Sequence, residues 1–403
     1  MRTRKLPLWI YTVPIVTAFA LPNMGTPLME LWRNDIGFSS GTLVLIFATY
    51  LGGLAPAFLF SPALGQLFGQ KKTQIAAIAS GILACIFYAL GGSVEVLLIA
   101  RVLSGFCAGV LMVLGTTQLK DLAKEGEETQ ATLLGTLGIA IGLATGPLFA
   151  GVVAERFPHP LRTVYVLAAT FLLLSLAIVF TLPETENAKP QSWNPIGSLD
   201  KNTTRAVLTG LGVFGPGMTA ASIVLALAPT ILLGMSDLTG PLVAGLFAGG
   251  MYLASPITQS FLGSQPPLRV LRGAIAVLIT SMVTFVAALW IENLWILALA
   301  AVLIGAGQGM GSLGALGLVH QRATPEHVAS ATASLSLGVY LSAAFVPLLG
   351  GVILDHSDLQ IAGAAMGLGV VAMCLAGMFM VRERFLTPDS FNLHRKNSVL
   401  PRF

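Results

Sequence analysis

Apolar residues run along this chain in long uninterrupted blocks, and the polar residues collect in the short stretches between them. Twelve blocks are readable, at approximately 8–32, 41–66, 74–92, 96–119, 130–154, 163–182, 206–233, 239–263, 273–291, 294–319, 328–354 and 359–381. Each is near or above the ~18 apolar residues that mark a membrane span. The longest polar interruption, residues 183–205, contains Pro183, Pro190 and Pro195 and separates six spans from six. It reads as a linker between two helical bundles. The pattern therefore predicts an all-α integral membrane protein: an N-terminal six-helix bundle over 1–182, the linker over 183–205, a C-terminal six-helix bundle over 206–381 and a tail over 382–403.

The two halves are related in sequence. With a shift of 200, residues 101–156 align with 301–356 without a gap and share fourteen identities, among them Gly105/Gly305, Gly109/Gly309, Gly138/Gly338, Pro147/Pro347 and Gly151/Gly351. The same offset pairs Phe47 with Phe247 and Pro56 with Pro256. Biased composition alone does not hold one offset across several spans, helix-breaking residues included. Two related bundles of equal orientation imply alternating access around a site near the bilayer midplane. A channel needs a carbonyl filter or a charged ring, and the sequence contains neither.

Composition agrees with the pattern. The chain of 403 residues is 55% hydrophobic and only 10% charged, with a mean hydropathy of +0.82. Soluble domains carry about 25% charged residues. The net charge of +4 does not point to nucleic acid, because the charges are sorted by loop. With a cytoplasmic amino terminus, eighteen Lys and Arg fall on the cytoplasmic side, three (Arg33, Arg156, Arg162) on the other, and Arg101 within a span. This positive-inside asymmetry predicts a multi-pass protein of the plasma (inner) membrane with both termini cytoplasmic. The basic, apolar start resembles a signal peptide, but no A-x-A-like cleavage site follows and the apolar run continues through Leu31, so a retained first span is expected. Asn202-Thr203-Thr204 matches a glycosylation acceptor, which this topology puts in the cytoplasm, unmodified. Cys85, Cys107 and Cys374 sit in apolar spans as small hydrophobes, without metal-ligand spacing. No cofactor or metal is expected. The stretch 65–73 has the wrong glycine-to-lysine spacing for a phosphate loop, and all five histidines lie in loops or the tail, which argues against an intramembrane enzyme.

Arg101-Val-Leu-Ser-Gly105 in span 4 resembles the RxxxG motif of the major facilitator superfamily. Gly142-xxx-Gly146-Pro147-xx-Ala150-Gly151 in span 5 is similar to that family's antiporter signature GxxxGPxxGG, with Ala150 for one glycine. LPET at 182–185 and GFSSGTLVLIFATYLGG at 37–53 resemble the corresponding parts of twelve-span drug:proton antiporters. The resemblance covers nearly the whole chain. It implies that spans 1, 4, 7 and 10 line the path and that spans 2, 5, 8 and 11 form the moving interface. The loop after span 2 departs from the family's LADRxGRR: Gln66 stands where an Asp is usual, while Gly69, Lys71 and Lys72 survive.

Several residues are candidates for function. Arg101 is the only cation clearly inside a span; burying a lone guanidinium costs ~2.5 kcal/mol or more, so such groups usually face the interior and serve function. The alternative is an arginine snorkelling to the headgroups. Glu30, three residues beyond Pro27, is the acid placed to exchange protons if it faces the cavity; otherwise it is an exposed carboxylate near Trp32 and Arg33. Related antiporters often carry a deeper acid in span 1, and Asn23 sits near that position. Asn23, Tyr50, Gln118, Tyr252, Gln259, Gln308 and Tyr340 are placed either to line a central cavity or to bond between helices. Gly138, Gly142, Gly146 and Ala150 recur every four residues and build a smooth face along which a neighbouring helix can approach and slide, with Pro147 kinking the helix and Gly151 following. In the duplicate, Val346 and Leu354 roughen this face. The expected function is proton-coupled efflux of small lipophilic or amphipathic molecules, by a monomer whose partners are that substrate, protons and the lipid bilayer. Import of metabolites, carriage of lipid-like molecules, and a non-transporting sensor or assembly partner are the alternatives.

Overall fold

The computed structural model describes residues 5–183, 199–235, 240–324 and 327–382. Twelve helices long and apolar enough to cross a membrane are found among them. They are α1 (Leu8–Ile36), α2 (Ser40–Phe68), α3 (Gln70–Leu90), α4 (Val94–Leu122), α5 (Glu128–Arg156), α6 (Pro160–Phe180), α7 (Lys201–Met235), α8 (Pro241–Leu262), α9 (Pro267–Ile291), α10 (Leu294–Arg322), α11 (Val328–Leu354) and α12 (Leu359–Met380). Their large exposed side chains, such as Phe171, Leu174, Phe261 and Leu368, are the ones a bilayer solvates, since in lipid only the backbone must be satisfied internally.

Buried apolar residues form two clusters. One joins α1–α6 and the other α7–α12, with Val44 and Phe47 of α2 reaching into the second and Tyr340 of α11 into the first. The repeat seen in sequence reappears as geometry: α4 and α10 begin at Val94 and Leu294, α5 and α11 at Glu128 and Val328, each pair 200 residues apart. Gly105 lies against the Tyr50 carbonyl of α2, and Gly305 lies against the Met251 carbonyl of α8. The same small residue thus lets the second and fourth helices of each bundle cross at backbone distance. The fold is two pseudo-symmetric six-helix bundles.

The bundles meet through α2 with α11 and α5 with α8. Their closest approaches lie toward the end where α2 and α8 begin and α5 and α11 finish, called here the far end; α6 finishes and α7 begins at the linker end. A Cβ added to Gly245 would stand 2.5 Å from the Pro147 carbonyl oxygen, and one added to Gly151 would stand 2.7 Å from that of Pro241.

One span departs from the continuous helix expected over 8–32. α1 is broken into an α-helix over Val13–Asn23, a 3-10 turn over Thr26–Leu28 and a second α-helix over Met29–Ile36. Pro22 and Pro27 bracket the break. Pro27 has no N–H for the Asn23 carbonyl four residues earlier, so the ladder stops there. The span-4 helix also loosens, by a π-helical turn at Leu111–Gly115.

Candidate functional site

The break in α1 is where the one deeply buried cation among the described residues goes. Arg101 of α4 is 1% exposed, so it does not snorkel to the headgroups. Its Nη1 donates to the Pro22 carbonyl at 2.6 Å. The guanidinium carbon lies 5.6 Å from the centroid of Phe47 and 5.9 Å from that of Tyr88. Cation–π contacts of this kind contribute on the order of 0.5–2 kcal/mol. Nε and Nη2 have no hydrogen-bond partner among the described residues. The absence of Cβ at Gly25 admits the guanidinium, because a Cβ there would stand 2.8 Å from Nη2. Trp32, Tyr88 and Tyr165 stack behind it, with Tyr88 and Tyr165 centroids 4.5 Å apart, and Tyr88 Oη lies 3.1 Å from Ser104 Oγ.

Asn23, next to the carbonyl that Arg101 holds, connects the two bundles. Its Nδ2 donates to the Phe19 carbonyl at 2.8 Å, and its Oδ1 accepts from the Tyr252 hydroxyl of α8 at 2.9 Å. Arg101, Asn23 and Tyr252 are therefore contiguous through two residues of α1. Tyr50 lies on the same level, its carbonyl facing Gly105 one turn along α4 from Arg101. Tyr340 of α11 stacks on Phe58 of α2 with centroids 5.3 Å apart, a second aromatic bridge between the bundles.

Three other candidates, Gln118, Gln259 and Gln308, are engaged inside one bundle. Gln118 is buried and its Oε1 accepts from Gln74 of α3 at 3.0 Å. Gln259 donates from Nε2 to Ser312 at 3.0 Å and to Ser255 at 3.3 Å. Gln308 donates to the Met218 sulfur at 3.6 Å, and its Cα is one of the atoms that a side chain on Gly217 would meet, at 3.0 Å. Glu30 is half-buried at the far end, 3.5 Å from Arg33 and 3.5 Å from the Thr230 hydroxyl of α7. It is thus held at the bundle interface.

The small-residue stripe of α5 packs within its own bundle. A Cβ at Gly138 would stand 2.5 Å from Thr12 Cγ2, one at Gly142 would stand 2.5 Å from the Val16 carbonyl oxygen, and one at Gly146 would fall on the Ala20 carbonyl. The neighbour that the stripe admits is α1, at backbone contact. Pro147 and Gly151 sit on the next face and meet α8, and Ala150 is fully buried. In the loop after α2, Gly69 takes a φ of +92°, which turns the chain into α3. Lys71 Nζ donates to the Phe180 and Leu182 carbonyls, both at 2.8 Å, at the end of α6. Gln66 is half-buried and Lys72 exposed.

Sequence reasoning missed Phe47, Tyr88, Tyr165, Trp32 and Gly25, which surround Arg101. The available signal was the Pro22, Gly25, Pro27 spacing, which marks a helix break and hence free carbonyls for a donor.

Two repeated six-helix bundles with a buried cation at a broken first helix define a polytopic carrier fold. The family model described as Major Facilitator Superfamily matches residues 9–282 and 264–399. The chain belongs to this superfamily. It is similar to the multidrug resistance protein MdtL of Shigella flexneri serotype 5b, 25% identical over 260 residues, which cover 63% of this chain and 64% of that one. MdtL of Shewanella sp. strain ANA-3 is 27% identical over 152 residues, 38% of each chain. The alignments thus span less than two thirds of those relatives' length. Among solved structures, the fold is shared with the POT family transporter PepTSo (TM-score 0.78, 10% identity, 95% of this chain and 99% of that one). It is also shared with the xylose transporter XylE from E. coli (TM-score 0.71, 15% identity, 94% and 99%).

Proposed function

We propose that this chain is a secondary transporter that exports small lipophilic or amphipathic compounds by alternating access, driven by the proton gradient. The observation that carries the reading is the unequal closure of the two bundles: α5 against α8 and α2 against α11 approach at backbone distance toward the far end. Rocking about the Asn23–Tyr252 level exchanges that closure for one at the linker end. The distribution of eighteen Lys and Arg against three makes the linker end cytoplasmic, with both termini on that side of the inner membrane. The bundles correspond to 1–182 and 206–381, joined by 183–205 and followed by the tail at 382–403.

Substrate class is inferred from the residues gathered where the bundles meet. Tyr50, Tyr252, Tyr340, Phe47, Phe58 and Asn23 offer aromatic surface and isolated hydrogen-bonding groups, which would suit lipophilic and amphipathic molecules as the bundles part. The names of the MdtL relatives support drug export. Arg101 acts as a fixed charge, since arginine keeps its proton, and Glu30 is the carboxylate proposed to exchange protons as the far end opens. The chain works as a monomer in the bilayer. Everted vesicles containing the protein test the reading: a lipophilic compound should collapse a preformed proton gradient, and no compound of a broad panel doing so would overturn it.

A further inference from the structure

Asp355 follows the last residue of α11, and its carboxylate reaches the other bundle. Oδ1 accepts from the Gly41 backbone N–H at 2.8 Å, and Oδ2 accepts from the Ser39 hydroxyl at 3.1 Å. Ser39 is the N-cap of α2, where the Thr42 N–H also donates to its Oγ at 3.2 Å. The first amides of a helix have no intrahelical partners and carry its positive end. A carboxylate there makes charge-assisted bonds, about twice as strong as neutral ones. The site is shaped for it: a Cβ on Gly41 would fall on the Asp355 carboxylate and stand 3.2 Å from the Gly351 carbonyl oxygen.

The repeat places a second acid in the equivalent position. Shifting Asp355 back by 200 gives Glu155, the penultimate residue of α5. Glu155 lies at the start of α8, where a Cβ on the N-cap residue Gly240 would stand only 2.7 Å from its Oε2. Gly41 itself corresponds to Pro241, which has no N–H to offer. The second acid instead packs one residue earlier, its carboxylate lying close against Gly240. Both contacts link different bundles, and both lie at the far end.

We propose that Asp355 and Glu155 are paired latches, each finishing the fifth helix of its own bundle and closing on the start of the other bundle's second helix, and that together they hold the far end shut. Their place in a transport cycle rests on the alternating-access reading above; the closure itself does not. Opening the far end breaks both contacts at once, because one rigid rotation carries α2 from α11 and α8 from α5. Two carboxylates on two helix starts also fix the register of the bundles, which apolar contacts alone do not.

Distance measurement between spin labels on Asn34→Cys and Glu292→Cys, exposed sites at the far end of the two bundles, tests the latches without substrate or proton gradient. The bonds of Asp355 to the start of α2 are charge-assisted, so Asp355→Ala should shift the population toward long distances by roughly tenfold or more. Glu155→Ala should shift it in the same direction, and the double variant further than either. Asp358→Ala removes a nearby acid that caps α12 without a side-chain hydrogen bond, and should leave the distribution unchanged. Unchanged distances in a folded Asp355→Ala/Glu155→Ala protein would overturn the proposal, as would an equal shift from Asp358→Ala. Failure of export with the distance shift intact would count against the proposed function and leave the latches standing.

Discussion

The Tyr252 hydroxyl of α8 donates to the Asn23 amide oxygen of α1 at 2.9 Å, joining the two bundles one residue away from the carbonyl that Arg101 holds. A neutral hydrogen bond of this kind contributes about 0.5–1.5 kcal/mol. Tyr252→Phe keeps the ring and removes the bond. It should shift the inter-bundle equilibrium away from this conformation by roughly two- to tenfold, visible as faster labelling of cysteines placed at the far end. Labelling at the wild-type rate would separate this bond from conformational control.

Arg101 carries a charge that nothing on the protein neutralises among the described residues, and two of its three nitrogens lack partners. Replacing a buried ion pair by apolar residues of similar volume is often neutral or stabilising by about 1–4 kcal/mol, because desolvated charge is removed, and Arg101 is a desolvated charge with no charged partner to strand. Arg101→Met should therefore keep or raise thermal stability in detergent while abolishing export. The freed Pro22 carbonyl sets a counter-cost of about 1–3 kcal/mol, which offsets part of the gain. A large loss of stability would assign Arg101 to the architecture of the α1 break alone.

Two glycines inside membrane-spanning helices should respond oppositely to alanine. Gly146 meets the Ala20 backbone, whereas a Cβ on Gly52 would meet nothing within 4 Å. Overpacking costs about 1–3 kcal/mol, and alanine in an open helical position gains up to about 1 kcal/mol. Gly146→Ala should lower the melting temperature and slow export; Gly52→Ala should leave both unchanged or improved. Equal behaviour of the two would contradict the packing of α5 on α1.

Lys71 and Lys72 are adjacent but unequal. Lys71 satisfies two carbonyls at the end of α6, and Lys72 is exposed. A cation at a helix C-terminus contributes about 0.3–1 kcal/mol, and the two direct bonds add to that. Lys71→Ala should lower thermal stability measurably while Lys72→Ala does not. A matching loss from Lys72→Ala would point to net charge at the linker-end surface.

Much of the architecture was legible in the sequence because a bilayer writes it there. Apolar blocks of span length, nearly free of charge, match all twelve helices, and the offset of 200 marks the repeat that reappears in Gly105 and Gly305. The candidate site was legible only in part. Arg101 stood out as a charge inside a span, but its surroundings come from α1, α2, α3 and α6, and no local pattern links Pro22 to Tyr165. Periodicity identified the stripe on α5 without saying which helix it receives. Asn23 and Tyr252 were each recognisable as polar residues within spans; their bond depends on the docking of two bundles separated by more than two hundred residues. Gln118 looked equally suited to a cavity and is instead paired with Gln74, because a buried amide takes whichever partner its own bundle offers.

Coupled transport in a reconstituted membrane tests the central claim most directly. With purified protein in proteoliposomes carrying an interior pH-sensitive dye, a lipophilic drug placed on the linker-end side should drive proton movement in the opposite direction to its own transport. Glu30→Gln should uncouple the two and Arg101→Met should stop both. Drug movement at the wild-type rate without any accompanying proton flux, or no movement of any drug by folded protein, would contradict the account.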